Sequence, residues 1–510
     1  MDLIASRRRT GAVVAALAVG AAFLTACTSA APTAEGGPRT LTLGVSGEAQ
    51  SFDPARQQSA GDQRWRWHAT FDTLLHCEED GSVVPGAAES YELSPDATRL
   101  TMRLREGMTF SDGSPVDAAA AKASIAHMRD SGGSDAGRVA NMEITTPDEL
   151  TVVIDAPQPT GQLPTFMCFA PGAIAHPDQL ASGAVASAPY SSGPYELDPS
   201  GTTTGSVYRM VKRDDYWDAG NYAYDVIELV TMPEPTARLN ALMSGEIDGA
   251  IIEQEQVPEA ESAGLHVLSN PAAWNGLYLN DRAGEVIPAL GDVRVRRAIN
   301  MVFDREAIAE YTMRGEAVPT TQIFHPEATA YLPELDERYP FDVEAARALM
   351  AEAGYADGFE VEVPSESGGS AVMNPIVVQQ LGLLNIEVTE VPLTGPTALS
   401  DILGGRFPIF FARIGTGDSL FDIVQSLEPG SIWNVMDTED PDLQPLLDRA
   451  QFVQGDEAVE VYQQINEYIV DQAWFAPWVA DNSFFAVTGA DLVPEMTDQF
   501  RVTPYLRDFE

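Results

Sequence analysis

Lysine is almost missing from this chain. Of its 30 basic residues, only Lys122 and Lys212 are lysines, and the rest are arginines. A phosphate-cradling loop ends in Gly-Lys-Ser/Thr. Here Ala121 and Val211 precede the two lysines, so the chain is not itself a P-loop ATPase. Positive charge is scarce overall: 76 acidic residues leave a formal charge of −46 over 510 residues. Such a surface repels nucleic-acid backbones, so no nucleic-acid partner is expected. It reads as a solvated acidic coat that keeps the chain soluble, or as one that draws in cationic ligands. Cysteine is scarce too, with three residues and no C-x-x-C, which argues against a redox motif or a Cys-rich zinc site. The six histidines, at 68, 76, 127, 176, 266 and 325, make no H-x-x-x-H or H-E-x-x-H pair. No metal or cofactor is therefore expected. There is no G-x-S-x-G elbow and no G-x-G-x-x-G; Gly415-Thr416-Gly417 is only a partial glycine loop. An enzyme is not expected. With 76 carboxylates, a glycosidase-like acid pair arises by chance. No internal repeat is evident, and Gly (41) and Pro (35) are too few for a low-complexity chain.

What is present begins with a leader. Arg7, Arg8 and Arg9 precede an apolar stretch over 11–23, shorter than the roughly 20 residues that span a bilayer. No later segment has an apolar run of that length. Residues 27–37 are small and rich in Pro and Gly, and read as a flexible tether. The length beyond it suits two or three domains at about 150 residues each.

The remaining chain alternates strand-like and helix-like segments, which predicts an α/β fold. Strands are expected over 39–45, 100–104, 149–154, 359–363 and 386–391, where apolar and polar residues alternate. Helices are expected after the caps Asp117, Asp292, Asp304 and Asp342, over 235–244 with Gly245 closing, and over 458–470. The helix after Asp292 is expected to run through Val302. Cys77 and Cys168 are a candidate disulfide pair for an oxidising compartment, or else two buried thiols.

Several short elements, in order, carry a resemblance. They are Ser51-Phe52-Asp53-Pro54; the stretch 94–115 ending Phe110-Ser111-Asp112-Gly113-Ser114-Pro115; Ser191-Ser192-Gly193-Pro194-Tyr195; and Tyr216-Trp217. Then come Ser244-Gly245-Glu246-Ile247-Asp248, the arginine-rich 292–308 and the glycine-closed 345–359. Together they resemble the extracellular solute-binding protein family 5 of ABC importers, the peptide, oligopeptide and nickel-binding type. Leu24-Thr25-Ala26-Cys27 resembles a bacterial lipoprotein signal, which implies cleavage before Cys27 and lipidation of its thiol.

The resemblance implies a periplasmic-binding-protein-like two-lobe clamp, type II and large, with an extra subdomain in the first lobe. The expected division is a signal peptide over 1–26, a tether over 27–37, lobe I over 38–58, 191–272 and 482–510, the extra subdomain over 59–190, and lobe II over 273–481. It implies a monomer held at the outer face of the cell membrane by its lipid. A peptide or peptide-like ligand would close between the lobes and pass to separate permease and ATPase subunits.

In peptide-binding members an Asp after a Trp in the second lobe pairs with the ligand's α-amino group. Asp418 fits that place best and Asp422 second, although Gly415 stands where the Trp is expected. Asp418 reads equally as an ordinary loop carboxylate. Trp274 and Asn275, near the inter-lobe crossover, read as a cleft wall or as hinge packing. Trp433 and Asn434 resemble a loop facing the cleft. Arg413 is expected to meet a ligand carboxylate, or to pair with Asp418 when the cleft is empty. Trp65, Trp67 and His68 read as subdomain packing. The missing Trp keeps other ligands in view for the same receptor: an oligosaccharide, a metal chelate or an opine-like solute. A sensor without transport and an extracytoplasmic hydrolase complete the alternatives.

Overall fold

Two long strands, His266–Leu279 and Phe475–Val487, run antiparallel through the middle of the molecule. Their registered pairs extend from His266–Val487 to Tyr278–Phe475. Both are almost wholly buried, and Phe475–Val487 is rich in β-branched and aromatic residues, as suits a strand covered on two faces. At Gly276 an added Cβ would stand 2.4 Å from the Ala476 carbonyl oxygen, so glycine alone permits this approach. The structure, a computed structural model, describes residues 37–510 except 48–50, 57–60, 79–81, 134, 366–368, 394–397, 490–491 and 493–502. The leader, Cys27 and all of the tether but Gly37 lie outside the described residues. Pro38–Glu510 forms one compact unit.

The fold is mixed α/β. The two long strands are shared by a nine-stranded sheet that carries different partners at its two ends. At one end Gly249–Ile252 pairs with the last residues of Phe475–Val487. Thr40–Val45 follows, parallel to both Gly249–Ile252 and Val226–Thr231, and then Val207–Lys212 and Tyr195–Leu197. At the other end Ile409–Gly415 pairs antiparallel with residues 273–279. Each end has its own core. Leu43, Tyr195, Ile227, Phe485 and Val487 pack at the first. Leu277, Ile299, Phe303 and Trp478 pack at the second, with Trp274, Tyr278, Phe410 and Ile465 beside them.

A separate antiparallel sheet of Ala88–Leu93, Arg99–Leu104, Thr151–Asp155 and Glu143–Thr145 packs under the helix Ala118–Asp130. Cys77 and Cys168 are bonded there, with Cα atoms 5.7 Å apart. The expected caps form: the side chains of Asp117, Asp304 and Asp342 accept from backbone N–H groups three residues on. Asp292 accepts from Arg294 N, and its helix ends at Met301 rather than running through Val302.

The lysine shortage has a structural counterpart in buried arginines. Arg305 donates to the carbonyls of Thr320, Pro477, Asn300 and Tyr339 and to Asn300 Oδ1, at 2.9–3.2 Å. Its planar fork supplies five donors, whereas lysine has three and no fixed geometry. Replacing it with lysine leaves buried carbonyls unpaired. Arg305→Lys is therefore expected to destabilise the protein by about 3 kcal/mol, read as a lower denaturation midpoint in guanidinium chloride. An unchanged midpoint contradicts this account of the fork.

Candidate functional site

The strand Ile409–Gly415 leaves the sheet, turns through Thr416 and Gly417, and enters the helix Ser419–Leu427. Asp418 caps that helix, its Oδ1 accepting from Phe421 N at 2.7 Å. One turn on, Asp422 points back at the turn and is 2% exposed. Its Oδ1 accepts from Gly417 N and Gln425 Nε2, both at 3.0 Å. Its Oδ2 is buried with no hydrogen-bond partner, and so is Thr416 Oγ1. Burial pushes the Asp422 carboxyl well above the ordinary carboxylate range, and the nearby charge of Asp418 adds to the shift. Asp422 therefore favours its neutral form more than an exposed carboxyl does, and a cation facing it favours the ionised form.

Residues from the separate antiparallel-sheet region close over this turn. Gln162 Nε2 donates to Asp418 Oδ1 at 3.4 Å. The Arg138 guanidinium lies 5.2 Å from the Phe421 ring centre. Gly161 N donates to Gln451 Oε1 at 3.1 Å, and a Cβ on Gly161 would stand 2.3 Å from the Gln451 carbonyl oxygen.

A second polar group sits on the central strands. Arg413 Nε and Nη2 each meet an Asp481 oxygen at 2.8 Å, and Asn275 Nδ2 donates to Asp481 Oδ2 at 2.8 Å. The Arg413 side chain is 52% exposed and that of Asp481 is 5% exposed. They line a cavity of about 310 Å³ with Gln254, Met313, Asn482 and Ser483. Asp481 was not singled out from sequence. Its signal is the polar run Asp481-Asn482-Ser483 interrupting an otherwise apolar strand.

Several expectations need correction. Arg413 pairs with Asp481, not with Asp418: the register sets Ala273 opposite both Gly415 and Asp481, with Arg413 opposite Asn275. Trp274 is 2% exposed and packs on Tyr278 and Phe475 at 5.2 and 5.7 Å between ring centres, so it belongs to the core rather than to a cleft wall. Asn434 organises its own loop, donating to Thr438 O at 2.9 Å and accepting from Thr438 N at 3.0 Å. Its neighbour Trp433 is partly buried, 5.9 Å from the Tyr278 ring centre. The packing reading of Trp65 and Trp67 needs no correction: both are core residues, and the Trp65 indole donates to the Pro504 carbonyl. Among the described residues, no three His, Cys, Asp or Glu side chains are grouped to hold a metal ion, and no helix is long and apolar enough to cross a membrane.

Because the folded state binds the Asp422 proton more tightly than the unfolded chain does, Asp422 costs stability as pH rises above its ordinary carboxylate value of 3.8. Asp422→Asn removes that cost. By calorimetry the variant is expected to melt with the parent near pH 4 and above it at pH 8. A variant that melts lower at pH 8 contradicts the raised pKa.

The sequence profile of the bacterial extracellular solute-binding proteins, family 5 Middle, matches residues 82–428, more than half of the chain. Glutathione-binding protein GsiB of Salmonella paratyphi A is 26% identical over 330 residues, which are 62% of this chain and 62% of that protein. A putative ABC transporter peptide-binding protein of Brucella ovis is 26% identical over 430 residues, 80% of this chain and 78% of its own. Among solved structures, AgaA of Agrobacterium tumefaciens R10 in complex with agropinic acid aligns with a TM-score of 0.74 at 25% identity, covering 92% of this chain and 98% of that one. DppA of Helicobacter pylori in complex with the peptide STSA shares the fold, with a TM-score of 0.71 at 19% identity over 92% of this chain and 97% of that one. The chain belongs to the bacterial extracellular solute-binding proteins, family 5, and is a substrate-binding protein of the ABC-importer type.

Proposed function

We propose that this protein captures peptides or peptide-like solutes by their free amino group, between two lobes, and delivers them to separate permease and ATPase subunits. The observation that carries this reading is the buried Asp422 carboxyl with an unpaired Oδ2, held beside Asp418 at the start of a helix. A ligand ammonium supplies the missing donors and the missing charge. Asp422 gives up its proton as the ammonium arrives. Arg413 exchanges part of its bond to Asp481 for a ligand carboxylate. The role is binding and release, not turnover.

The lobes are residues 38–58, 191–272 and 482–510 for the first, with 59–190 as its extra subdomain, and 273–481 for the second. The two cores on one shared pair of strands support this division. Contacts from both sides of the cleft exist only when it is closed, and that difference drives closure on ligand. The protein works as a monomer, lipidated at Cys27 and anchored to the outer face of the membrane. A second reading, an opine-like ligand, is favoured by Gly415 standing in place of the family's Trp and by the agropinic acid bound to AgaA.

Titration calorimetry separates the two. Trialanine with a free amine is expected to bind about 100-fold more tightly than its N-acetyl form. Its binding releases a proton, seen as a heat that varies with the buffer's ionisation enthalpy. Asp422→Asn abolishes both differences. Equal affinities for the two peptides contradict the amine reading and leave the opine-like one. A second expectation concerns closure: Gly161→Val forces the Gln451 backbone away and weakens trialanine binding about tenfold, with the fold retained by circular dichroism. Unchanged affinity contradicts a role for this contact in the closed state.

A further inference from the structure

A groove of about 660 Å³ lies between residues 158–166 and the helices Ser419–Leu427 and Gln444–Ala450. Its lining contains no Lys, Arg, His, Trp or Tyr. Three carboxylates face it: Glu428, Glu439 and Asp448. Three of its four glutamine amides already donate to acceptors: Gln162 Nε2 to Asp418, Gln444 Nε2 to Asp448 Oδ1 at 2.9 Å, and Gln451 Nε2 to Glu428 Oε1 at 3.2 Å. The Thr160 hydroxyl donates to the Gln158 carbonyl. The groove is thus lined by carboxylates and amides with no cationic side chain among them.

A row of acids alone is only a solvated surface, but here an independent feature points to an occupant. Gln162 lines the groove and is 3% exposed, and its Oε1 has no hydrogen-bond partner. A buried amide oxygen left unpaired costs free energy that a bound donor recovers. The walls between the acceptors are apolar, formed by Phe166, Val424, Pro429 and the 43%-exposed Phe452. Burial raises the pKa of Glu428, and no cation of the groove offsets it.

We propose that this groove is a binding site for an amphipathic organic cation: an ammonium or guanidinium group carried on a short aliphatic chain. The cationic end takes Glu428 and the Gln162 oxygen, the chain lies on the apolar walls, and a guanidinium gains further from the phenylalanine faces. The groove adjoins the Asp418 turn through Gln162, but its carboxylates are other than Asp422 and the proposal does not depend on the amine reading. Its ligand class is the one a strongly acidic surface concentrates around itself.

Agmatine, with both cationic groups on a four-carbon chain, is the probe. Calorimetry on the purified protein is expected to show one agmatine site, weakened about tenfold in Glu428→Gln and about fivefold in Asp448→Asn. Asp448 is exposed, so that second variant tests the site without touching the core. Trialanine affinity is expected to stay unchanged in Asp448→Asn, and saturating trialanine is expected not to displace agmatine. Absence of agmatine binding, binding indifferent to both substitutions, or displacement by trialanine overturns the proposal.

Discussion

The pairing of His266–Leu279 with Phe475–Val487 is the constraint on which the rest of the structure depends. Two strands of this length are each long enough to serve two cores, one at either end. Leu268 and Phe485 pack with the strands Thr40–Val45 and Val226–Thr231, while Leu277 and Trp478 pack with the helices Val293–Met301 and Arg305–Met313. Neither core closes without the ribbon. The same ribbon carries irregularities in register between Pro271 and Ala273 and between Asn275 and Gly276. Bulges turn strands and re-aim side chains, and it is here that Asn275, Asp481 and Arg413 come together.

Buried charge is met in more than one way. Several buried arginines set their fork on backbone carbonyls, as at Arg305, Arg296 and Arg238. Arg282 differs: it lies over the rings of Trp474 and Phe475 at 4.3 and 4.9 Å, and burial brings its pKa down to about 9. Buried carboxyls differ: Asp281 accepts from the backbone N–H groups of Glu285, Val286 and Ile287, whereas burial pushes the Asp422 carboxyl up. Fixed arginines build the frame, and Asp422, whose pKa burial raises, marks the candidate site. That contrast separates framework from site more sharply than burial alone does.

Much of the fold was legible in the sequence, because its signals are local. Aspartates before periodic runs cap four helices as read, and Gly245 ends the helix Pro235–Ser244 in the left-handed region. Period-two segments became strands, including Glu360–Ser365 and Glu387–Pro392, which pair in parallel. The site was less legible, because its chemistry is made by register and by distant chain. Asp481 meets Arg413 only because both flank His266–Leu279 in the sheet. Gln162 reaches Asp418 from 256 residues away. Trp274 carries the same one-letter signal as a cleft aromatic, and only its packing on Tyr278 and Phe475 assigns it to the core. Asp422, ranked behind Asp418 from sequence, gains its importance from burial, which no local pattern reveals.

The central claim is that this clamp takes peptides by their free amine. The most direct test is native mass spectrometry of the protein purified under gentle conditions, with its adduct released by unfolding and then sequenced. The account predicts a mixture of short peptides with unblocked N-termini, held by the parent and lost from Asp422→Asn. A single non-peptide adduct, retained equally by both, would contradict it.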